Sequence, residues 1–126
     1  MLVLGRCKGE RIEIDGHALI RVARIEEGRV RLDVTAPCSR TCRAEVADKL
    51  APERTAVVTI LGIRRRKGSS VLRASIGIRV PMGSTVHRAE VANQTLPADK
   101  RFPWHRFRPT SRCWRAVNQE IHITLP

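Results

Sequence analysis

Short runs in which apolar and polar residues alternate dominate the first part of the chain. In Arg11–Ile14, for example, the two isoleucines share one face and the two charged residues share the other. A period of two is typical of a half-buried β-strand. We therefore predict an all-β protein of small antiparallel or mixed sheets. The predicted strands in this part are Leu2–Leu4, Arg11–Ile14, Leu19–Ile25 and Val30–Val34.

Two further elements are predicted before position 52. Pro37 ends the fourth run because proline cannot donate to a strand ladder. After it, Thr41–Glu45 can form one more short strand, and Ala44–Leu50 a short helix. Fifty residues of this kind bury too little apolar surface to be stable alone, so a partner copy is expected.

The chain supplies such a copy as an internal duplication. The matching segments are 20–25 with 58–63, 32–37 with 76–81, and 42–46 with 86–91. The offset grows from 38 residues (Ile25 to Ile63) to 44 (Pro37 to Pro81) across the central hairpin. The second copy therefore has six extra residues there, which include Arg64–Gly68.

This pattern divides the chain into three segments. Residues 1–50 form a first unit, and residues 51–95 form a second unit that lacks the first two strands. Residues 96–126 are a basic, aromatic linker in which Arg115–Ile123 resembles Arg6–Ile14 in pattern. We hypothesise that strands in this C-terminal segment complete the second unit.

Aromatic residues are scarce, which limits both the core and the ligand. The chain has no Tyr, and its two Phe and two Trp residues all lie in 96–126. A core within the first hundred residues must therefore be aliphatic. A surface of stacked sheet aromatics, such as an RRM uses for single-stranded RNA, cannot be built. We expect Trp104 and Trp114 to cover the strand core.

The chain is strongly basic. Lys and Arg number 24 against 12 Asp and Glu, a net charge of +12, of which residues 51–126 carry +10. This balance predicts a polyanionic partner. No stretch approaches the ~20 apolar residues of a membrane span, and a charge at Arg6 comes too soon for a signal peptide. We therefore expect a cytoplasmic protein that binds no membrane.

Binding is favoured over catalysis. No nucleophile–base–acid set, phosphate loop or carboxylate pair stands at useful spacing, so we predict no enzyme. A reducing compartment favours free thiols over disulfides. Cys38 and Cys42 are at most half of a zinc site, and no second pair follows at ligand spacing. We predict neither a metal nor a cofactor.

Four segments together resemble the carbon storage regulator (CsrA/RsmA) family of bacterial post-transcriptional regulators: Met1–Arg6, Gly9–Ile14, Val30–Pro37 and Val86–Val91. The resemblance implies a small intertwined homodimer whose subunits share sheets, with a short projecting helix. In this duplicated chain, a single-chain pseudo-dimer is the alternative. The resemblance also implies binding of GGA sequences in mRNA leader hairpins, with control of translation initiation or message stability.

By this resemblance, the first strand of one unit and the last strand of the other form the RNA site. Leu4 and Arg6 carry over from the first strand, and Val86, His87 and Arg88 from the last. The chemistry is independently suitable. Strand-edge amides and carbonyls with an arginine fork can read a guanine-rich loop without any aromatic ring.

The sequence departs from the family pattern at several points. Cys7 stands where the family usually has a basic residue, so the adjacent Lys8 becomes a candidate RNA contact. In the first copy the last strand is one residue short, and Cys42 replaces the histidine that would precede Arg43. Arg115 matches Arg6 through the C-terminal segment. Arg43 and Arg115 are therefore the candidates for a second RNA site.

Two other functions remain open beside regulation through mRNA leaders or small regulatory RNA. The first is a basic nucleic-acid chaperone, which would bind GGA and scrambled hairpins alike through counterion release. The second is a degenerate protein-interaction module of the same fold, which would bind a protein partner and no RNA.

Overall fold

The computed structural model describes residues 1–14, 18–35, 55–65, 67–88, 108–109 and 111–124. Within these ranges there are nine β-strands and no helix. The strands are β1 (Leu2–Cys7), β2 (Arg11–Ile14), β3 (Ala18–Glu26), β4 (Arg29–Thr35), β5 (Thr55–Arg65), β6 (Leu72–Arg79), β7 (Val86–Arg88), β8 (Ser111–Ala116) and β9 (Glu120–Thr124).

The strands form two antiparallel sheets around one shared core. The first sheet has the order β1-β6-β5-β9, and the second has the order β7-β2-β3-β4-β8. Each sheet therefore takes strands from both halves of the chain. The prediction of an all-β fold is confirmed. The strand predicted at 41–45 and the helix predicted at 44–50 lie outside the described residues.

The core between the sheets is aliphatic, as the scarcity of aromatic residues requires. It draws on alternate positions of each strand, since successive strand residues point to opposite faces. Trp114 is not in this core. It lies on the opposite face of β8 from Cys113, which packs against the core, so the expectation for Trp114 is wrong. Trp104 lies outside the described residues.

β3 and β5 carry the same irregularity at equivalent places. The pairing register shifts between Val22 and Arg24 in β3, and between Ile60 and Gly62 in β5. The two bulges are 38 positions apart, the offset of the sequence repeat. A bulge bends a strand and increases its local twist. The two sheets therefore bend at matching points.

The hairpin between β5 and β6 is longer than the one between β3 and β4. Glu26 pairs with Arg29 in the short hairpin, and Arg64 pairs with Arg73 in the long one. The offset is 38 from Glu26 to Arg64 and 44 from Arg29 to Arg73, so the long hairpin has six extra residues.

The turn that connects β8 to β9 reproduces the turn that connects β1 to β2 at an offset of 109. In each turn the last residue, Glu10 or Gln119, donates its amide to a carbonyl three residues earlier at 3.0 Å. The preceding residue has a positive φ, 88° at Gly9 and 69° at Asn118. Asparagine is one of the few side-chain-bearing residues that tolerate this conformation. Below, positions related by the offsets of 38, 44 and 109 are called equivalent.

Candidate nucleic-acid interface

Arg6 in β1 is an arginine only 3% exposed. Leu4, 7% exposed, lies two positions earlier on the same core-facing side of the strand. The Arg6 Nε donates to the Gly5 carbonyl at 2.9 Å, and Nη1 lies 3.3 Å from Oε2 of Glu10. Nη1 also lies 3.5 Å from the Arg11 carbonyl. These partners offset the cost of burying a charge and hold the guanidinium in one orientation.

The turn between β1 and β2 supports this arrangement. Oε1 of Glu10 accepts the amide of Cys7 at 2.7 Å, while Oε2 of the same carboxylate pairs with Arg6. The position of Arg6 is therefore coupled to the shape of the turn. Lys8 lies in the turn with its side chain exposed, and it adds a positive charge next to the end of β1.

The three residues predicted for the last strand of the RNA site form β7. Val86, His87 and Arg88 pair with Ile14, Glu13 and Ile12 of β2, respectively. Val86 is half-buried and packs against the core, whereas His87 and Arg88 are exposed. β7 is a terminal strand of its sheet and β1 is a terminal strand of the other.

The structure brings Arg6 and Arg88 to the same end of β2. Arg6 reaches the carbonyl of Arg11, and Arg88 lies opposite Ile12, the next residue along. Residues directly opposite each other in a ladder project to the same face. Ile12 is fully buried, so Arg88 projects on the core-facing side of its sheet, as Arg6 does on the other sheet. We call the surface formed by Leu4, Arg6, Val86, His87 and Arg88 the β1–β7 edge.

Arg115 occupies in β8 the position equivalent to Arg6, but its surroundings differ. Its Nη1 donates to the Trp114 carbonyl at 2.6 Å. Among the described residues, the buried Nη2 has no hydrogen-bond partner. Gln119 stands where Glu10 would be, and its Oε1 accepts the Ala116 amide at 2.8 Å. Arg43 lies outside the described residues.

Sequence reasoning missed the partner of Arg6. It gives Glu10 no role, because a spacing of four residues indicates an ion pair in a helix and not in a strand that runs into a turn. It also missed the stacking of Arg29, whose guanidinium carbon lies 4.1 Å from the centroid of the Trp114 ring. No short-range signal predicts that contact, because β4 and β8 are distant in sequence.

The described part of the chain contains no group of metal-ligating side chains and no membrane-spanning helix. Within it, no three His, Cys, Asp or Glu side chains are grouped so that they could hold a metal ion. No helix within the same residues has the length and apolar character to cross a membrane. Cys7 and Cys113, the two described cysteines, are not joined in disulfides.

Comparison with known proteins gives one match. The family model CsrA, described as the global regulator protein family, matches residues 1–51. No curated protein and no solved structure matches the chain. The matched segment contains β1 to β4, including Arg6 and its turn. Residues 1–51 are therefore similar to the CsrA family of RNA-binding post-transcriptional regulators.

Proposed function

We propose that this protein is a cytoplasmic, RNA-binding translational regulator that binds GGA-containing hairpins in mRNA leaders. It acts on translation initiation or on message stability, and small regulatory RNA is a second ligand of the same site. The observation that carries the proposal is the position of Arg6 and Arg88, both beside the start of β2 and both on core-facing sides of terminal strands.

The chemistry of the β1–β7 edge suits guanine. Exposed Arg88 can present its fork of N–H donors to the O6 and N7 acceptors of a guanine. Arg6 is already held by Glu10, so little side-chain entropy is lost when RNA contacts that strand. His87 in β7 and Lys8 in the turn after β1 are exposed, and both can contact phosphate or base edges. Half-buried Val86 supplies an apolar contact, whereas Leu4 lies in the core.

We further propose that a single chain supplies both halves of what related proteins build as a dimer. Residues 1–50 are one regulator unit, residues 51–95 are most of a second, and the strands within 96–126 complete it. The support is the matching register of the strand pairs. β8 pairs with β4 as β1 pairs with β6, and β9 pairs with β5 as β2 pairs with β3. In this arrangement the β1–β7 edge is the principal RNA site, and Arg43 with Arg115 belongs to a second, altered one.

Titration of a GGA hairpin and a scrambled hairpin of equal length tests the RNA proposal. In moderate salt, we expect the wild-type protein to prefer the GGA hairpin. Arg88→Ala should weaken GGA binding by about 1–3 kcal/mol, the scale of one guanine-reading fork, and leave scrambled binding nearly unchanged. The matched control is Arg79→Ala, which removes an exposed arginine at the end of β6.

Other outcomes would favour the rival functions. Equal affinity for both hairpins would indicate a non-specific chaperone. An absence of any RNA complex, together with capture of a protein partner, would indicate a protein-interaction module. Unchanged GGA affinity in Arg88→Ala would remove Arg88 from the site.

A further inference from the structure

The outward face of the first sheet has an open pocket of about 310 Å³. Gly5, Ala74 and Ser75 line it together with the side chains of Arg64 and Arg73. Gly5 lies opposite Ser75 in the β1–β6 ladder, and Arg64 lies opposite Arg73 in the β5–β6 ladder. The pocket is therefore assembled from three adjacent strands.

Comparison of equivalent positions explains why the pocket exists. In the second sheet, the position of Gly5 is held by Trp114, and the position of Ser75 by Arg31. Two large side chains on one sheet are thus replaced by a glycine and a serine on the other. The vacated space is where the Arg73 guanidinium lies, with Nη2 3.4 Å from the Gly5 carbonyl. A Cβ at position 5 would lie 2.3 Å from Nε of Arg73.

The charges of the two equivalent places also differ. In the second sheet, Arg29 pairs with Glu26 at 2.7 Å, and Trp114 stacks on Arg29. In the first sheet, Arg64 replaces that glutamate, so two arginines lie directly across the ladder. Within the described ranges, no carboxylate pairs with Arg64 or Arg73. Like charges directly opposite each other are destabilising, and a bound anion would relieve the repulsion.

The pocket borders the proposed RNA site. Gly5 and Arg6 are consecutive in β1, a terminal strand, so their side-chain positions lie on its two opposite faces. A polynucleotide that crosses this sheet edge would pass both faces of β1. Two guanidinium groups with a serine hydroxyl beside them are donors suited to a phosphate.

We propose that Arg64, Arg73 and Ser75 form a phosphate-binding pocket that takes a backbone phosphate of the RNA bound at the β1–β7 edge. This inference rests on the proposed function for the identity of its ligand. The pocket contributes affinity without sequence preference, because a phosphate carries no base identity. It also belongs to one sheet only, so the two halves of the molecule are electrostatically unequal.

The test is the salt dependence of RNA affinity in three variants. Arg64→Glu recreates the Glu26–Arg29 pair of the other sheet, and Arg73→Ala removes the second guanidinium. Each should reduce the slope of log affinity against log salt by about 0.7, the value for one phosphate contact with a single strand. The reduction should be the same for GGA and scrambled hairpins. The matched control is Arg29→Ala, whose charge is already paired, and it should keep the wild-type slope.

Several results would overturn the pocket. Wild-type slopes in both Arg64→Glu and Arg73→Ala would do so, as would an equal reduction in Arg29→Ala. A titration with pyrophosphate separates the two sources of phosphate. If Arg73→Ala abolishes pyrophosphate binding but leaves the RNA slope unchanged, the pocket serves a free phosphate compound and the RNA assignment fails.

The same data separate this proposal from the RNA-reading one. Reduced slopes with no preference for GGA would support the pocket and overturn GGA recognition. A GGA preference that Arg88→Ala removes, with unchanged slopes in the pocket variants, would overturn the pocket alone. Arg64, Arg73 and Arg29 are all exposed. The midpoint of thermal unfolding of the three salt-dependence variants should therefore remain close to that of the wild-type protein.

Discussion

Arg6 and Arg115 hold equivalent positions but have different partners. Arg6 is buried against the carboxylate of Glu10, and Arg115 has a glutamine, Gln119, at the equivalent position. The glutamine keeps the hydrogen bond to the turn but gives up the ion pair. Arg115 is half-buried, and among the described residues it has no carboxylate partner to offset the loss of hydration. One residue therefore makes the two halves differ in stability and in local charge.

Exchange of the two turn residues tests this difference. Glu10→Gln should lower the free energy of unfolding by about 1–3 kcal/mol, because the Arg6 charge loses its partner. Gln119→Glu should raise it by about 0.5–1 kcal/mol, because Arg115 gains one. Urea unfolding measures both changes in the free energy of unfolding, and the m-values should be unchanged. The same sign for both substitutions would contradict the ion-pair explanation.

At the level of elements, the sequence predicts strands well and their partners poorly. The alternation at Arg11–Ile14 and the repeat at 58–63 depend on local periodicity, and both lie in observed strands. β5 extends beyond the predicted run, to Thr55–Arg65, because the polar residues at its ends are held by ladder pairing. Pairing is non-local, so nothing local indicates that β1 joins β6 rather than β2.

For the candidate site, too, the sequence predicts which residues lie in strands but not which distant residues they contact. The motif resemblance and the strand periodicity place Leu4 in the first strand and Arg88 in the last strand of the site, where the structure has Leu4 buried and Arg88 exposed. Neither predicts that Arg6 is buried, because that depends on Glu10 from the turn. The pocket beside Gly5 could not be predicted either. The pocket depends on residues that three adjacent strands bring together. It also depends on small residues at positions where the equivalent sheet has large side chains.

Equivalent strands should contribute equally to stability if β9 is integral to the fold. Ile12 in β2 and Ile121 in β9 are equivalent, and both are fully buried. Ile12→Ala and Ile121→Ala should each cost about 2–5 kcal/mol in urea unfolding. Val117→Ala, at an exposed turn position, is the control and should change stability by about 0.5 kcal/mol or less. A cost for Ile121→Ala no larger than the control would mean that β9 is dispensable.

At the scale of the whole molecule, the described chain encloses a core between two sheets that both draw on its two ends. β1 closes the sheet that contains β5 and β6, and β8 closes the sheet that contains β3 and β4. Such exchange of edge strands is what an intertwined dimer does between subunits. In this chain, edge strands from both ends complete the two sheets, and the described core lies between them.

Light scattering on the protein eluted with a GGA hairpin tests this account most directly. We predict a complex with one 14.2 kDa chain and a bound GGA hairpin, and a smaller fraction of complex with the scrambled hairpin at the same concentration. An obligate two-chain protein would contradict the single-chain assembly. Equal co-elution of both hairpins would contradict the β1–β7 edge as a reader of sequence.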